Sequence, residues 1–328
     1  MTKIPMGVTF GSLAILGPTA IVDIARRAKD LDYQSIWTVE ATATDAMTLL
    51  GAAGQAAPGI GLATGIIPVQ IRTPALTAMT AATLQALNPQ SDILLGVGVS
   101  APGILRSHGV GMTDKPIGLM REYVTLLRQC LSGESVTFEG NYFSLKRFQL
   151  GVPLKERKPK IIMAALNPQM LKLAGEIADG VLLNYLPSSH VQTSVKTVRE
   201  GGEARIYAYV HAAVGRLEER IRSARRDLFN YAMADGYARM FRQAGFESEV
   251  DELRSRFAEK DRDGAIAAIS ERMVQAIDFI GSENEVTDFV KRYIDAGVEY
   301  PVLMPMPWGE DRRAVTDATM KAAIAAAI

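Results

Sequence analysis

Short apolar runs alternate with longer amphipathic segments along almost the whole chain. Residues 61–68 are small and apolar with no polar face, which is typical of a strand buried on both sides. Pro74 then opens an alanine-rich helix over 75–87, and a second buried strand follows at 93–97. Because glycine and hydroxyl residues stand at both strand exits, we expect the ligand side of this strand–helix–strand unit to lie there.

The same alternation predicts the remaining elements. Strands are predicted at 6–10, 35–39, 61–68, 93–97, 160–164, 181–184, 205–213 and 300–304. Helices are predicted at 18–31, 45–57, 75–87, 116–131, 168–179, 285–296 and 312–327. Eight strands alternating with helices predict an α/β fold, a closed parallel (β/α)8 TIM barrel. A doubly wound open sheet is the alternative.

Two segments do not fit the alternation. Strands at 136–139 and 142–145 flank Gly140-Asn141, a pair that tolerates a hairpin turn. Residues 217–276 are rich in Arg, Glu, Ala and Met with helical periodicity. We therefore expect a β-hairpin insertion at about 133–158 and a helical insertion at about 217–276, before the last barrel unit. Without internal repeats or linkers, residues 1–328 are predicted to form one domain.

Charge and composition narrow the classes of partner. The 36 Lys and Arg residues balance the 36 Asp and Glu residues, which gives no reason to expect nucleic acid or an anionic membrane. The single cysteine, Cys130, fits a reducing cytoplasm and is expected to be an inert packing residue. Neither a signal peptide nor an apolar stretch of about 20 residues is present. A cytoplasmic protein with a small-molecule substrate is expected.

The residues at the predicted strand exits are small, uncharged and mostly apolar, which suits a flat conjugated ring lying on backbone. The three histidines show no metal-ligand spacing and one cysteine cannot build a thiolate site, so no metal is predicted. No GxSxG or P-loop motif occurs, and the GVGVS sequence at 96–100 lacks the third glycine of a dinucleotide fingerprint.

The turn before the helix at 168–179 is the best anion candidate. Pro168 at the first helical position leaves neighbouring N–H groups free at the positive end of the helix. The alternative is that Asn167 merely caps the helix.

Three residues are candidates for acid–base chemistry. Glu40 ends a buried strand, where a carboxyl group is costly unless it is paired, and an apolar exit would favour its protonated form. His108 lies in the loop after the fourth strand and His211 at the end of the seventh. Either histidine can reach the strand exits, and either can have a purely structural role.

Several motifs, in the same order along the chain, resemble one known family. They are the Thr-Gly exit, the Arg-Thr-Pro helix entry and the Leu-Gly-Val-Gly strand within 61–100, WTVE at 37–40, GESVTFEGNYFSL at 133–145, and IIMAALNPQMLKLAGEIADGVLLNYL at 161–186. Together they resemble the luciferase-like flavin and deazaflavin oxidoreductases. The helical insertion and the 161–186 segment are similar to the coenzyme F420-dependent branch, notably methylenetetrahydromethanopterin reductase.

The resemblance implies a cofactor lying at the strand exits, with its ring backed by a bulge at 64–66 and its phosphate on the 165–167 turn. The implied cofactor is F420, with FMN as the alternative. A homodimer is also implied, with the helices 45–57 and 75–87 as candidate contacts. The expected cofactor-binding residues are Thr9, Glu40, Thr64, Gly65, Ile66, Gly98, Val99, Ser100, Ala164, Ala165, Leu166 and Asn167.

The chain also departs from the family. Thr9 stands where the reductases have a glutamate, Ala101 where they have a carboxylate, and Ala41 where related sugar-phosphate dehydrogenases have a histidine. Glu40, His108 and His211 remain as candidate catalytic residues. The expected function is hydride transfer between F420 and an unidentified organic substrate. An FMN-dependent monooxygenase and a non-catalytic cofactor-binding barrel are the alternatives.

Overall fold

The computed structural model describes residues 3–327, which contain twelve strands. The strands are β1 (Gly7–Thr9), β2 (Ser35–Thr38), β3 (Gly61–Thr64), β4 (Ile67–Pro68), β5 (Ile93–Gly98), β6 (Val136–Glu139), β7 (Ser144–Phe148), β8 (Lys160–Ala164), β9 (Gly180–Leu183), β10 (Arg205–Val214), β11 (Asp278–Gly281) and β12 (Tyr300–Pro305). The parallel strands β1, β2, β3, β5, β8, β9, β10 and β12 pair in that order, and β12 pairs back onto β1. This closure confirms the TIM barrel and excludes the open sheet.

Fourteen α-helices lie within the same residues. They are α1 (Pro18–Asp30), α2 (Ala46–Ala56), α3 (Pro74–Leu87), α4 (Pro102–Ser107), α5 (Pro116–Cys130), α6 (Pro168–Ile177), α7 (Ser188–Arg199), α8 (Leu217–Ala232), α9 (Asp235–Phe241), α10 (Glu247–Ala258), α11 (Arg262–Ala267), α12 (Glu271–Ile277), α13 (Glu283–Asp295) and α14 (Arg312–Ile324). Five of them begin with proline, whose fixed φ suits the first helical turn. No helix in residues 3–327 is long and apolar enough to cross a bilayer.

Aromatic rings fill the lower part of the barrel. The Trp37 ring lies 5.6 Å from that of Tyr207, which in turn lies 5.0 Å from that of Tyr300. Glycines face these rings, and a Cβ on Gly7 would come within 2.6 Å of the Trp37 indole nitrogen. This part of the barrel interior is therefore a packed core.

The insertions differ in detail from the sequence prediction. The second hairpin strand is β7, at Ser144–Phe148 rather than 142–145, because the turn spans four residues. The helical insertion comprises α8 to α12 and ends in β11, a strand that the sequence did not predict. β10 continues beyond the end of β9, and its last four residues pair with β11. The insertion thus returns to the barrel and adds a strand at its mouth.

Candidate functional site

A continuous floor of small groups joins four strand exits at the mouth of the barrel. The Glu40 N–H donates to the Ile66 carbonyl at 3.0 Å, and the Val69 N–H donates to the Gly98 carbonyl at 3.1 Å. A Cβ on Gly98 would lie 3.1 Å from the Ala164 methyl group and 3.5 Å from the Ile66 side chain. The structure therefore brings Glu40, Ile66, Gly98 and Ala164 together, with Val99 and Ser100 half-buried beside them.

The floor is tight enough to require glycine at two positions. A Cβ on Gly65 would lie 1.8 Å from the Tyr209 hydroxyl, which donates to the Gly65 carbonyl at 2.8 Å. A Cβ on Gly96 would lie 1.7 Å from the Thr64 carbonyl oxygen. The peptide bond between Gly65 and Ile66 is cis. These contacts leave the backbone of this bulge, rather than side chains, as its exposed surface.

The two threonines of the predicted set lie behind the floor. Thr9 and Thr64 are fully buried, and their hydroxyl groups donate to the carbonyls of Trp37 and Gly96 at 3.3 and 2.9 Å. The Thr9 hydroxyl also accepts from the Gly11 N–H at 3.1 Å. Both side chains are therefore engaged in holding adjacent strand ends together.

The turn before α6 presents free backbone donors. Among residues 3–327, the N–H groups of Leu166, Asn167 and Gln169 form no hydrogen bond, whereas that of Ala165 donates to the Leu182 carbonyl at 3.3 Å. The Asn167 side chain makes no capping bond, and its Oδ1 is buried without a partner. Its position is thus not explained by capping, and the free N–H groups at the positive helix end can hold an anion.

Glu40 is buried as an ion pair. The Arg72 Nε donates to Glu40 Oε2 at 2.6 Å, and another guanidinium nitrogen of Arg72 is paired with Asp45. The side chains of Arg72 and Glu40 are only 14% and 9% exposed. The strand exit is therefore not apolar as expected, and the guanidinium stabilises the charged carboxylate.

His108 lies on the rim of the mouth. It is exposed at the end of α4, and its Nε2 lies 2.6 Å from the Ala41 carbonyl oxygen. The loop after β5 therefore reaches the residue next to Glu40. This contact places an imidazole ring over the alanine at position 41.

His211 is buried on β10, and its two ring nitrogens contact Asp278 and Asn184 at 3.1 and 3.0 Å. Burial lowers the pKa of His211 to about 4. It raises the pKa of Asp278 to about 8, and burial followed by the nearby Asp278 charge raises that of Asp227 to about 7. At neutral pH this region therefore favours uncharged groups.

Asp278 predicts a pH dependence of stability. A raised pKa in the folded protein means that stability is lost as pH rises from about 4 towards 8, because the unfolded chain releases the proton more readily. The depressed pKa of His211 acts in the opposite direction below pH 6.5. Between pH 6.5 and 8 the free energy of unfolding of the parent protein should fall by up to roughly 1.4 kcal/mol per pH unit, and Asp278→Asn should remove this decline. Urea denaturation from about pH 5 to 8 measures it, and equal slopes in the two proteins would contradict the shift.

Four residues of this region were missed by the sequence reasoning. Arg72 belongs to the Arg-Thr-Pro motif, which gave a signal for a helix start but none for a partner of Glu40. Gln70 carries a side-chain amide whose two polar atoms are buried without a partner among the described residues. Asp227 and Asp278 lie in the helical insertion and the unpredicted strand, and nothing in their local sequence indicated burial.

Two further cavities lie away from this mouth. One of about 670 Å³ lies between α5, β6 and the end of α6 and includes Val124, Arg128 and Glu176. Another of about 290 Å³ lies at the amino-terminal end of the barrel and includes Asp92 and Arg205. Neither cavity contains the free backbone donors or the floor of small groups described above, so the strand exits are the better candidate site.

Comparison with known proteins identifies the family of the chain. The family model described as luciferase-like monooxygenase matches residues 5–300. A 5,10-methylenetetrahydromethanopterin reductase of Archaeoglobus fulgidus is 25% identical over 255 residues, covering 74% of this chain and 75% of the relative. A putative coenzyme F420-dependent oxidoreductase of Mycobacterium tuberculosis is 26% identical, covering 91% and 94% of the two chains.

A solved structure has the same fold. The coenzyme F420-dependent tetrahydromethanopterin reductase of Methanopyrus kandleri superposes with a TM-score of 0.80 at 21% identity, and 98% of each chain is covered. This likeness extends over the barrel and both insertions.

Proposed function

This chain belongs to the luciferase-like monooxygenase family, and we propose that it transfers a hydride between coenzyme F420 and a small organic molecule. The supporting observation is the combination of a backbone floor with free donors at the α6 turn, in a chain whose relatives include F420-dependent reductases and oxidoreductases. The relatives do not identify the substrate of this chain. One is named a methylenetetrahydromethanopterin reductase and another an F420-dependent glucose-6-phosphate dehydrogenase.

The residues at the mouth fit such a cofactor. The N–H groups of Leu166, Asn167 and Gln169 suit its phosphate, and the bulge at Gly65 suits one face of its ring. Gln70 follows Val69, whose N–H donates to the Gly98 carbonyl at the end of β5. The unpartnered amide of Gln70 can hydrogen-bond a polar edge of the ring. When bound, the deazaflavin supplies or accepts the hydride.

The proposed proton donors differ in their surroundings. Glu40 is paired with Arg72, and its carboxyl group can accept a hydrogen bond from a ring or substrate. His108 reaches Ala41, the position where related dehydrogenases carry a histidine, and it is open to solvent. His211 lies on β10, is shielded from solvent and has both ring nitrogens in contact with protein side chains. All three remain proposed as catalytic groups.

Direct titration tests the cofactor. Purified protein is mixed with F420 or with FMN, and binding is followed by cofactor fluorescence. F420 is expected to bind, with FMN binding weaker or absent. Submicromolar FMN affinity without F420 binding would favour the FMN-dependent monooxygenase. A solved structure with the same fold is a Baeyer-Villiger monooxygenase in complex with FMN. Binding of neither cofactor would favour the non-catalytic barrel.

The phosphate contact gives a sharper prediction. Asn167→Asp places a carboxylate beside the bound phosphate, and the repulsion should weaken F420 binding by on the order of 1 kcal/mol or more. Asn230→Asp, at an exposed position of α8, is the matched control and should bind F420 as the parent does. Equal affinity of the Asn167 variant would remove the phosphate from this turn.

We also propose that the protein is cytoplasmic, that each chain forms one domain, and that two chains associate as a homodimer. Leu76, Met79 and Leu87 on α3 are 44%, 50% and 58% exposed, which supports this helix as a contact. Met79→Glu should then produce a monomer at micromolar concentration, because a charge would be buried in the interface. Light scattering measures the mass, and a parent protein that is already monomeric would contradict the proposal.

A further inference from the structure

Seven polar or aromatic side chains, three of them buried and four half-buried, form a cluster at the mouth of the barrel, where β9, β10, β11 and the helical insertion meet. They are Asn184, Tyr185, His211, Asp227, Tyr231, Tyr237 and Asp278. His211 and Asp278 are 1% and 0% exposed. Among residues 3–327, no lysine or arginine forms an ion pair with either aspartate. His211 can compensate at most one ionised carboxylate, so a second one would be left without a counter-charge, at a large cost in free energy.

The cluster lies directly above the floor of the site. Side chains two residues apart on a strand share one face, so His211 lies one layer above Tyr209 on β10. Tyr209 contacts the Gly65 carbonyl from inside the barrel. Asp278 is the register partner of His211 on β11, which explains how their side chains meet. The helical insertion contributes Asp227 from α8.

The hydrogen bonds give His211 a definite tautomer. The Asn184 Nδ2 donates to the Tyr237 hydroxyl at 3.1 Å, so its Oδ1 faces the His211 Nε2 at 3.0 Å and must accept. The Nε2 therefore carries the proton. In a neutral imidazole the Nδ1 is then an acceptor, and its partner Asp278 Oδ1, at 3.1 Å, must be the donor. A neutral His211 in this geometry therefore requires Asp278 to be a protonated carboxylic acid.

Asp227 completes the chain of donors. The Tyr185 hydroxyl donates to Asp227 Oδ2 at 2.7 Å. Asp278 Oδ2 has no hydrogen-bond partner among the described residues, and the nearest oxygen of Asp227 lies within 4.8 Å of the His211 and Asp278 ligand atoms. Asp227 offers its neighbour a donor only when it is protonated, because a carboxylate has no proton to give. The raised pKa values of both aspartates and the lowered pKa of His211 agree with this neutral arrangement.

We propose that Asp227 and Asp278 form a proton store that holds His211 as an Nε2–H donor at the mouth of the barrel, with Asn184 as its acceptor when no substrate is bound. Its use in catalysis rests on the hydride transfer proposed above. When a substrate heteroatom replaces the Asn184 Oδ1 as acceptor, the Nε2 proton passes to that heteroatom as the hydride reaches the adjoining carbon. Asp278 then gives its proton to Nδ1, and Asp227 gives its own to Asp278. Asp227 is only half-buried and recovers a proton from solvent. Both aspartates act through His211 and are positioning residues.

Infrared and nitrogen NMR spectroscopy test the store in the protein without cofactor. At about pH 6 exposed carboxyl groups are ionised, so the carbonyl absorption of protonated acids reports buried ones. We expect this absorption in the parent protein, its loss by about pH 9, and a decrease of about half in Asp278→Asn. Asp92→Asn, an exposed residue at the other end of the barrel, should leave it unchanged. In the nitrogen NMR spectrum His211 should show the Nε2–H tautomer at neutral pH. The chain has three histidines, so the signals lost in His211→Gln assign this ring.

Three results would overturn the proposal. They are no protonated-acid absorption at about pH 6, an absorption that Asp278→Asn leaves intact, or a protonated Nδ1 on His211. The same three side chains also offer donor types that bind divalent cations, so metal content is measured on the purified protein. A stoichiometric ion that Asp278→Asn removes would make the aspartates ligands instead of a proton store. Failure to bind F420 with the spectra as expected would count against the proposed function alone.

Discussion

Arg72→Met should destabilise the protein by about 3 kcal/mol or more, because it leaves the buried carboxylate of Glu40 without its counter-charge. The Arg72 guanidinium joins Glu40 to Asp45, and both the arginine and Glu40 side chains are less than 15% exposed. Methionine retains much of the side-chain volume, so the loss reports charge rather than a cavity. Urea denaturation measures the free energy of unfolding.

An exposed ion pair supplies the control. Arg157 and Asp92 are 54% and 61% exposed, and Arg157→Met should cost less than about 1 kcal/mol. The double variant Glu40→Gln/Arg72→Met should recover part of the stability lost in Arg72→Met, since no buried charge remains unpaired at position 40. A loss in Arg72→Met no larger than that in Arg157→Met would show that the Glu40 pair behaves as a surface interaction.

Gly96→Ala should cost about 3 kcal/mol or more and weaken cofactor binding, because the new methyl group would overlap the backbone of the neighbouring strand. A Cβ at this position lies 1.7 Å from the Thr64 carbonyl oxygen, and a backbone atom cannot move aside as a flexible side chain can. The displacement would also break the bond from the Thr64 hydroxyl to the Gly96 carbonyl. Denaturation and F420 titration measure the two effects.

Gly51→Ala is the matched control for this substitution. Gly51 lies within α2, where the nearest heavy atom to an added Cβ is 3.9 Å away. Alanine has the higher helix propensity, so this variant should be stabilised by about 0.5 to 1 kcal/mol. A Gly96→Ala variant as stable as the parent would mean that β3 and β5 can move apart without a loss of stability. The close contact at Gly96 would then not be required by the fold.

The pattern of the chain by itself determined the barrel. Alternating buried runs and amphipathic helices indicate eight β/α units because strands buried on both faces and helices with one apolar face leave few other ways to bury those surfaces. The exits of such strands lie on one side, which placed Ile66, Gly98 and Ala164 at a common site before their contacts were known. The free donors before α6 followed from Pro168.

Only the tertiary structure decided which groups face one another across that site. Glu40 and Arg72 are 32 residues apart, and His211 lies 67 residues from Asp278, so no local periodicity connects them. β11 is four residues long and forms because β10 extends beyond β9 and offers unpaired backbone groups. Strand pairing and the compensation of buried charge are long-range requirements. The sequence therefore determined where the candidate site lies, and the packing of the insertion onto the barrel decided which charged groups surround it.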